Sequence, residues 1–208
     1  MLRLYDYWES GNCYKIRLLL HRLGLEFELV ELDILKGETR TPEFLARNPN
    51  GRVPALELED GRVLAESDAI LWYLAEGSAL LPDDAWERAQ VLQWMFFEQY
   101  SHEPFIAVLR FWHFSGMAGE HAAEIPERER RGYEALGVME RHLTDRSFFV
   151  GERDSIADIA LYAYTHVAPE GGFDLERFPA VCAWIERVGS QPGHVAIGDS
   201  VGKRVAHS

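Results

Sequence analysis

The sequence predicts an α/β domain followed by an all-α domain, and two observations carry this prediction. The chain has 208 residues, of which 47% are hydrophobic, enough for one domain or two small ones with an ample core. Strand-like and helix-like segments alternate up to about residue 76, but strand signals disappear after Gly77–Asp84, a stretch with Gly, Ser and Pro. We therefore expect a first domain at residues 1–76, a linker at 77–85 and an all-helical domain at 86–208.

The first domain follows a strand–helix–strand–helix–strand–strand–helix order. Its predicted strands are Leu2–Tyr5, Glu26–Leu32, Ala55–Leu58 and Val63–Ala65. Its predicted helices run from about Cys13 to Leu23, from Pro42 with Thr41 as N-cap, and onward from Ser67. This order of elements is that of a thioredoxin-like domain.

Helical periodicity fills the second domain. The helical patterns run from Trp86 to about Phe114, from Pro126 to Leu143, from Ser155 to Val167 and from Phe178 to Val188. Pro104 should kink or divide the first of these helices, because proline removes a backbone donor and clashes with the preceding turn. The tail after Val188 fits no element.

Composition and charge argue against several classes of protein. A net charge of −13 disfavours nucleic acids and anionic membrane surfaces as partners, because both repel an acidic surface. The first residues lack the apolar region of a signal peptide, and no segment has the length of a membrane span, which favours a cytoplasmic location. Cys13 and Cys182 lie far apart without a CxxC pair, so neither a disulfide framework nor a metal site is expected.

The most specific pattern lies in residues 48–67, NPNGRVPALELEDGRVLAES. A turn cluster leads to Val53-Pro54, which directly precedes a short strand, where proline is tolerated only at the first position or at an edge. The Asp60-Gly61 pair is typical of a tight hairpin turn. Glu66-Ser67 then begins a helix, with Ser67 as the expected N-cap.

This succession of motifs resembles the glutathione-binding half of the cytosolic glutathione S-transferases, in particular the bacterial, serine-type, theta/beta/nu-like enzymes. The resemblance implies a cis Val53–Pro54 bond, with the main chain of Val53 pairing with the cysteinyl part of glutathione. A cis bond turns the preceding peptide groups outward, where an extended ligand can add like a strand. Glu66 would meet the ammonium group of the γ-glutamyl residue, and Ser67 its carboxylate. Helix capping alone is the competing interpretation of this pair.

The resemblance extends over roughly residues 1–190. In the third helical pattern of the second domain, Ser155-Ile156-Ala157-Asp158 has the form of a capping box, as in the helical domain of this family. Asp154 stands where many relatives have an apolar residue, so the hydrophobic staple is missing. The box indicates structure and not catalysis.

The chemistry implied by the family requires a thiolate. A free thiol with a pKa near ~8.5 is mostly protonated at neutral pH, so the protein must stabilise the anion. By the resemblance, Ser10 occupies the position where serine-type enzymes place the hydroxyl that hydrogen-bonds the glutathione sulfur, and Asn12 supports it. Ser10 could instead serve only as a helix cap.

Other residues near Ser10 offer rival chemistries. Cys13, in the first turn of a helix, could form a mixed disulfide with glutathione, although serine-type relatives often carry an inert, buried cysteine at this spacing. Tyr5 and Tyr7 could donate hydroxyls as in tyrosine-type relatives, but Tyr5 belongs to the predicted strand and Tyr7 precedes the expected position. We rank all three below Ser10.

Two further groups of residues complete the predicted site. The glycyl carboxylate of glutathione needs cations, and the candidates in bordering loops are Lys36, Arg40 and Arg52, any of which could be an ordinary solvated charge. The electrophile is expected between the domains, against Tyr7, Trp8, His102, Phe105 and Trp112. Aromatic residues at helical spacing are more often core residues.

The leading hypothesis is therefore a glutathione transferase that acts on a hydrophobic electrophile, with glutathione as cosubstrate and no metal. The resemblance further implies a homodimer and a role in detoxification. The sequence leaves two alternatives open: a glutathione-dependent disulfide reductase or peroxidase, and a non-catalytic binding module of the same fold.

Overall fold

The computed structural model describes residues 1–205, which form two compact units. The first unit contains Met1–Ser78 and the segment from Pro192 onward, and the second contains Ala79–Gln191. The strands of the first unit are β1 (Leu2–Asp6), β2 (Phe27–Glu31), β3 (Ala55–Glu57), β4 (Val63–Ala65) and β5 (Lys203–Arg204). Its helices are α1 (Gly11–Arg22), α2 (Pro42–Arg47) and α3 (Ser67–Ala75).

The five strands form one mixed sheet in the order β4-β3-β1-β2-β5. β2 runs parallel to β1 and β5, whereas β3 is antiparallel to both β1 and β4. Side chains alternate between the two faces of a sheet, so Leu4 and Tyr5 of β1 lie on opposite faces. Both are buried, so both faces of the sheet are covered at this strand. Tyr5 packs edge-to-face on Phe44 of α2, with ring centroids 5.6 Å apart. The thioredoxin-like fold predicted for this part of the chain is confirmed.

Helix α1 starts two residues before the predicted position, because Ser10 caps it. The Ser10 Oγ accepts a hydrogen bond from the backbone N–H of Cys13, at 3.3 Å. All residues from Cys13 to Leu20 are buried, and these include two cations, Lys15 and Arg17. A buried charge is costly unless it is paired, so both side chains need partners inside the first unit.

Helix α3 corrects the expectation that Ser67 is its N-cap. The helix begins with Ser67 itself, and Glu66 occupies the capping position without a side-chain hydrogen bond to the helix. Glu66 has φ +68° and ψ 117°. Among the described residues other than glycine, it alone has a positive φ. Such a conformation costs on the order of 1–3 kcal/mol and is concentrated at functional sites.

The C-terminal segment differs from the predicted domain division, which placed residues 86–208 in the helical domain. From Pro192 the chain returns to the first unit. Tyr14 on α1 donates a hydrogen bond from its hydroxyl to the carbonyl of Val195, at 2.6 Å. Strand β5 then pairs with β2, and the backbone N–H of Val205 donates to the carbonyl of Leu29 at 3.0 Å. A two-residue strand carries no periodicity that the sequence could reveal.

The second unit is helical within the described residues. Its helices are α4 (Ala85–Phe97), α5 (Glu103–Phe114), α6 (Ile125–Leu143), α7 (Ile156–Thr165) and α8 (Pro179–Gly189). A π-helical segment, Glu98–His102, separates α4 from α5, so the division predicted near Pro104 is confirmed. In the described chain, no helix combines the length and the apolar character that a membrane crossing requires.

The predicted capping box begins α7, whose ten residues are all buried. Asp158 accepts hydrogen bonds from the backbone N–H of Ser155 at 2.9 Å and from the indole N–H of Trp184 at 2.9 Å. Burial raises the pKa of the Asp158 carboxyl to about 6, against the opposing effect of these donors. The box thus anchors α7 to α8 through one carboxylate.

Candidate functional site

Three segments of the first unit meet at one edge of its sheet. Tyr5 of β1 pairs with Ala55 of β3, and Ala55 pairs with Ala65 of β4. The residues next to this row are therefore brought together: the loop after β1 leads to Ser10, Pro54 immediately precedes Ala55, and Glu66 immediately follows Ala65. Sheet register alone thus assembles motifs that are far apart in sequence.

The Val53–Pro54 bond is cis, as the family resemblance implied. Asn48 organises the loop before it: its side-chain amide donates to the carbonyl of Arg52 at 2.7 Å, and its Oδ1 accepts from the backbone N–H of Asn50 at 3.1 Å. Within residues 1–205, the main-chain N–H and C=O of Val53 make no hydrogen bond to another protein group. Both groups are therefore available to an extended peptide ligand.

Ser10 and its neighbours form the N-terminal end of α1. Since the Ser10 Oγ accepts from Cys13 N–H through a lone pair, its own proton stays available for donation. The sulfur of Cys13 accepts a hydrogen bond from the backbone N–H of Tyr7 at 3.3 Å. Cys13 is fully buried, and burial raises the pKa of its thiol, so it is neither accessible nor ionised at neutral pH.

A polar cluster joins the beginnings of α1 and α3. The Ser67 hydroxyl donates to Oδ1 of Asn12 at 3.3 Å, and the Lys15 ammonium donates to Ser67 Oγ at 3.3 Å and to Asp68 Oδ1 at 3.2 Å. We call Asn12, Lys15, Ser67 and Asp68 the Lys15 cluster. It connects Asn12, predicted to support the sulfur, with Ser67, predicted to bind the γ-glutamyl carboxylate. Burial raises the pKa of the Asp68 carboxyl, and the Lys15 ammonium opposes that shift.

Sequence reasoning missed Lys15 and Asp68. The one available signal was a lysine within the apolar pattern of α1, since a cation at an interior position of a helix needs a partner elsewhere. Glu66 lies beside the cluster, exposed to solvent, with the Asn50 side-chain amide 3.4 Å from its Oε1.

A second buried ion pair supports the loop that carries Ser10. Arg17 donates to both carboxylate oxygens of Asp6, at 2.8 and 2.6 Å, and to the carbonyl of Trp8 at 2.9 Å. Burial raises the pKa of the Asp6 carboxyl, whereas Arg17 lowers it. The guanidinium groups of Arg17 and Arg204 lie 4.9 and 4.8 Å from the centroid of the Trp8 ring. Trp8, expected in the electrophile pocket, is thus held by α1 and by the C-terminal segment.

The three predicted cations differ in their surroundings. Arg40 donates to the carbonyl of Asn50 at 3.0 Å, and Arg52 is exposed next to Val53, so both border the cis loop. Lys36 has 76% of its side chain exposed and forms an ion pair with Asp33 at 2.9 Å. Arg40 thus contacts the loop that ends at Pro54 and Arg52 belongs to it, whereas Lys36 is paired with Asp33.

Tyr5, which belongs to strand β1, uses its hydroxyl in a hydrogen bond to strand β3. Tyr5 is buried, and its hydroxyl donates to a carboxylate oxygen of Glu57 at 2.7 Å. Burial raises the pKa of this phenol. The low rank given to Tyr5 as a donor to the sulfur agrees with this arrangement.

The helical residues predicted for the electrophile pocket have partners within the second unit. His102 is fully buried, with its Nε2 2.9 Å from the hydroxyl of Thr165. Trp112 is buried and stacks on His121 with ring centroids 3.9 Å apart. Phe105 is half-buried beneath the guanidinium of Arg131, 4.6 Å from its centroid. Their burial argues against direct contact of His102 and Trp112 with a substrate.

In the described part of the chain, no group of three or more His, Cys, Asp or Glu side chains is placed to hold a metal ion.

Comparison with known proteins identifies the family. Residues 1–76 match the family described as "Glutathione S-transferase, N-terminal domain", and residues 94–192 match "Glutathione S-transferase, C-terminal domain". The chain is 34% identical over 194 residues to the glutathione S-transferase-like protein LUC7 of a Fusarium species, covering 89% of this chain and 87% of the relative. It is also 34% identical over 200 residues to the disulfide-bond oxidoreductase YfcG of Escherichia coli, covering 92% of each.

Solved structures give the same result. A glutathione S-transferase from Pseudomonas fluorescens is 56% identical with a TM-score of 0.93, over 95% of this chain and 99% of the other. The structure of Ure2p in complex with glutathione is 27% identical with a TM-score of 0.84, over 92% of this chain and 95% of the other. The chain therefore belongs to the glutathione S-transferase family.

Proposed function

We propose that the protein ionises the thiol of glutathione and directs the thiolate to a hydrophobic electrophile, with Ser10 donating a hydrogen bond to the sulfur. The observation that carries this proposal is the hydrogen bond between Asn12 and Ser67. It joins the end of α1, where the sulfur is expected, to the end of α3, where the γ-glutamyl group is expected. One tripeptide can therefore reach both places and the main chain of Val53.

Each part of glutathione has a matching group in the first unit. The cysteinyl part pairs with the unoccupied main-chain groups of Val53, preceding Pro54. The γ-glutamyl carboxylate accepts from Ser67 and from the N-terminal backbone of α3, and its ammonium group meets the exposed carboxylate of Glu66. The glycyl carboxylate meets Arg40 and Arg52, and Lys36, which is paired with Asp33, is the third candidate.

In this reaction the sulfur forms a bond to an electrophilic carbon. The thiol proton leaves to solvent, and a leaving group such as a halide departs with the electron pair of its bond. A hydroxyl donor and a helix N-terminus both favour the thiolate over the thiol, and the half-buried position of Ser10 strengthens these interactions by limiting water. Tyr7 and Trp8, half-buried on the same loop, are the residues of the first unit that we assign to the electrophile.

The assignment to a serine-type, theta/beta/nu-like enzyme is part of this proposal. It rests on Ser10 as the N-cap of α1 and on the burial of Cys13 and Tyr5; Tyr7, half-buried on the same loop, keeps its rank below Ser10 because it precedes the expected position. A cytoplasmic location and a role in detoxification are proposed on family membership.

We also propose a homodimer, on the basis of an exposed stripe along α4 and the π segment. Residues Trp86, Ala89, Gln93, Phe96 and Tyr100 follow helical i, i+3, i+4 spacing and are all exposed. Trp86, Phe96 and Tyr100 are 71%, 68% and 78% exposed. Large aromatic residues that lie together on one exposed face are typical of a surface that binds another protein chain. Light scattering should show that Phe96→Asp lowers the molecular mass to that of one chain, whereas Phe114→Asp on α5 leaves it unchanged.

Disulfide reduction is the second candidate, because the chain is 34% identical to a disulfide-bond oxidoreductase. Because Cys13 is buried, we assign the attack to the thiolate of bound glutathione, which forms a mixed disulfide as the S–S bond of the substrate breaks and one thiolate leaves. A second glutathione then attacks the mixed disulfide, which releases the other thiol and forms oxidised glutathione. This mechanism uses the same site, and Ser10 would serve both reactions.

The test combines binding and turnover. Calorimetric titration of the protein with glutathione should show binding, and the absence of heat at millimolar ligand would favour a binding module for another partner. Wild type, Ser10→Ala and Cys13→Ala should then be assayed with an aryl halide and with a small disulfide. Loss of conjugation in Ser10→Ala supports the proposal, whereas selective loss of disulfide reduction in Cys13→Ala would contradict it.

A further inference from the structure

Lys15 is a fully buried cation whose side chain crosses from α1 to the beginning of α3. Its ammonium group lies 3.2 Å from Asp68 Oδ1 and 3.3 Å from Ser67 Oγ. Packing α1 against α3 does not require this ion pair, because apolar side chains of similar volume can fill the same space without removing two charges from water. The position of the ammonium group directly behind Ser67 therefore calls for a reason.

The hydrogen bonds of Ser67 give a direction to its hydroxyl proton. Because an ammonium group only donates, Ser67 Oγ accepts from Lys15 and its proton must point elsewhere. In the structure it is donated to Asn12 Oδ1, 3.3 Å away in the first turn of α1, and a ligand carboxylate would replace this acceptor. A hydroxyl that accepts a charge-assisted hydrogen bond is polarised and becomes a stronger donor.

The geometry points to Lys15 as the positioning residue for the α-carboxylate of the γ-glutamyl group: it turns the Ser67 hydroxyl toward the ligand and supplies the positive charge behind it. Asp68 holds the ammonium group in place. This inference rests on the proposed function, because it assumes that glutathione binds with its γ-glutamyl end at Ser67.

Asp68 makes the two members of the ion pair distinguishable. The Oδ2 atom of Asp68 is buried and accepts no hydrogen bond from the residues that the structure describes, so the hydrogen bond of this carboxylate to Lys15 is made by Oδ1. In Asp68→Asn the amide oxygen can still accept from Lys15, while a negative charge near the ligand carboxylate disappears. Loss of Lys15 should therefore weaken glutathione binding, and loss of the Asp68 charge should maintain or strengthen it.

The experiment is calorimetry with two ligands, glutathione and its analogue in which γ-aminobutyrate replaces γ-glutamate, which lacks only the α-carboxylate. Because a hydrogen bond to a charged group contributes more than a neutral one, Lys15→Met should weaken glutathione binding by about tenfold or more. It should change binding of the analogue by less than about twofold, since the missing carboxylate removes the coupling. Lys15→Arg should restore part of the glutathione affinity.

Two controls keep the test decisive. The double variant Lys15→Met/Asp68→Asn leaves no unpaired charge behind, so it serves if Lys15→Met alone does not fold, and it should show the same preference. Arg22→Met removes a cation at the other end of α1 and should bind both ligands like wild type. Equal losses for both ligands, or equal losses in Lys15→Met and Asp68→Asn, would overturn the inference. Failure of wild type to bind glutathione would instead overturn the proposed function.

Discussion

Replacing Ser10 by alanine should separate two roles of one hydroxyl. The oxygen caps α1 by accepting from Cys13 N–H at 3.3 Å, and the proton is available to the glutathione sulfur. Loss of the cap should lower the free energy of unfolding by about 1 kcal/mol. Loss of a hydrogen bond to a charged sulfur costs about 1.5–3 kcal/mol, which corresponds to a rise of roughly 1–2 units in the pKa of the bound thiol.

The effect on the rate should therefore depend on pH. At pH values below the pKa of the glutathione thiol bound to wild type, the thiolate fraction falls tenfold for each unit of that rise, so kcat/KM should drop there by about 10- to 100-fold. At high pH the thiolate forms without help, and the rates of variant and wild type should converge. The assay is conjugation of an activated aryl chloride between pH 6 and pH 9.5, together with urea unfolding.

A second cap provides the control for Ser10→Ala. The Asp84 carboxylate caps α4 by accepting from the backbone N–H groups of Trp86 and Glu87, both at 3.0 Å. Asp84→Ala should lose a similar amount of stability and keep its kcat/KM. A loss of rate in Ser10→Ala that is the same at every pH, or no loss at all, would refute a role for this hydroxyl in ionising the sulfur.

Three further outcomes are expected. Because Cys13 is buried and its pKa is raised, Cys13→Ala should keep both conjugation and disulfide reduction within about twofold, as measured by steady-state kinetics. Folding raises the pKa of Asp158 to about 6, so between about pH 4 and pH 6 the folded state binds a proton that the unfolded state has lost. As pH rises through that window, the free energy of unfolding of wild type should fall relative to that of Asp158→Asn by on the order of 3 kcal/mol, as measured by urea unfolding. Gly202 has φ +77°, and an added Cβ would lie 2.5 Å from the Phe27 ring, so Gly202→Ala should lower the melting temperature. Gly198→Ala is the control, because a Cβ there meets open space and the melting temperature should stay the same. Equal melting temperatures of the two variants would contradict the packing of the C-terminal segment on β2.

Local patterns in the sequence were sufficient for most of the fold. Thr41 caps α2 as predicted, with Oγ1 accepting from Phe44 N–H at 3.2 Å, and the Ser155–Asp158 box forms as predicted. Both motifs are short-range, because their hydrogen bonds join residues three positions apart or less. The order of strands and helices from β1 to α3 likewise follows from periodicity and turn residues.

Features that depend on distant contacts were not predictable from one sequence. Lys15 and Asp68 are separated by 53 positions, and no local pattern indicates that they meet. The positive φ of Glu66 carries no signal, since glycine or asparagine is the usual residue in that conformation. His102, expected in the substrate pocket as a residue of the first long helix, is buried because its partner Thr165 lies on another helix.

The last described strand of the chain completes the sheet that the first strands begin. During synthesis the first 78 residues leave the ribosome before any of the helical unit, yet the edge of β2 stays uncovered until residues 203–204 emerge. An uncovered strand edge can pair with other chains, so the edge of β2 exposes a nascent or truncated protein to misassembly. Fusions attached to the C-terminus should for the same reason be joined through a linker that leaves β5 free to pair.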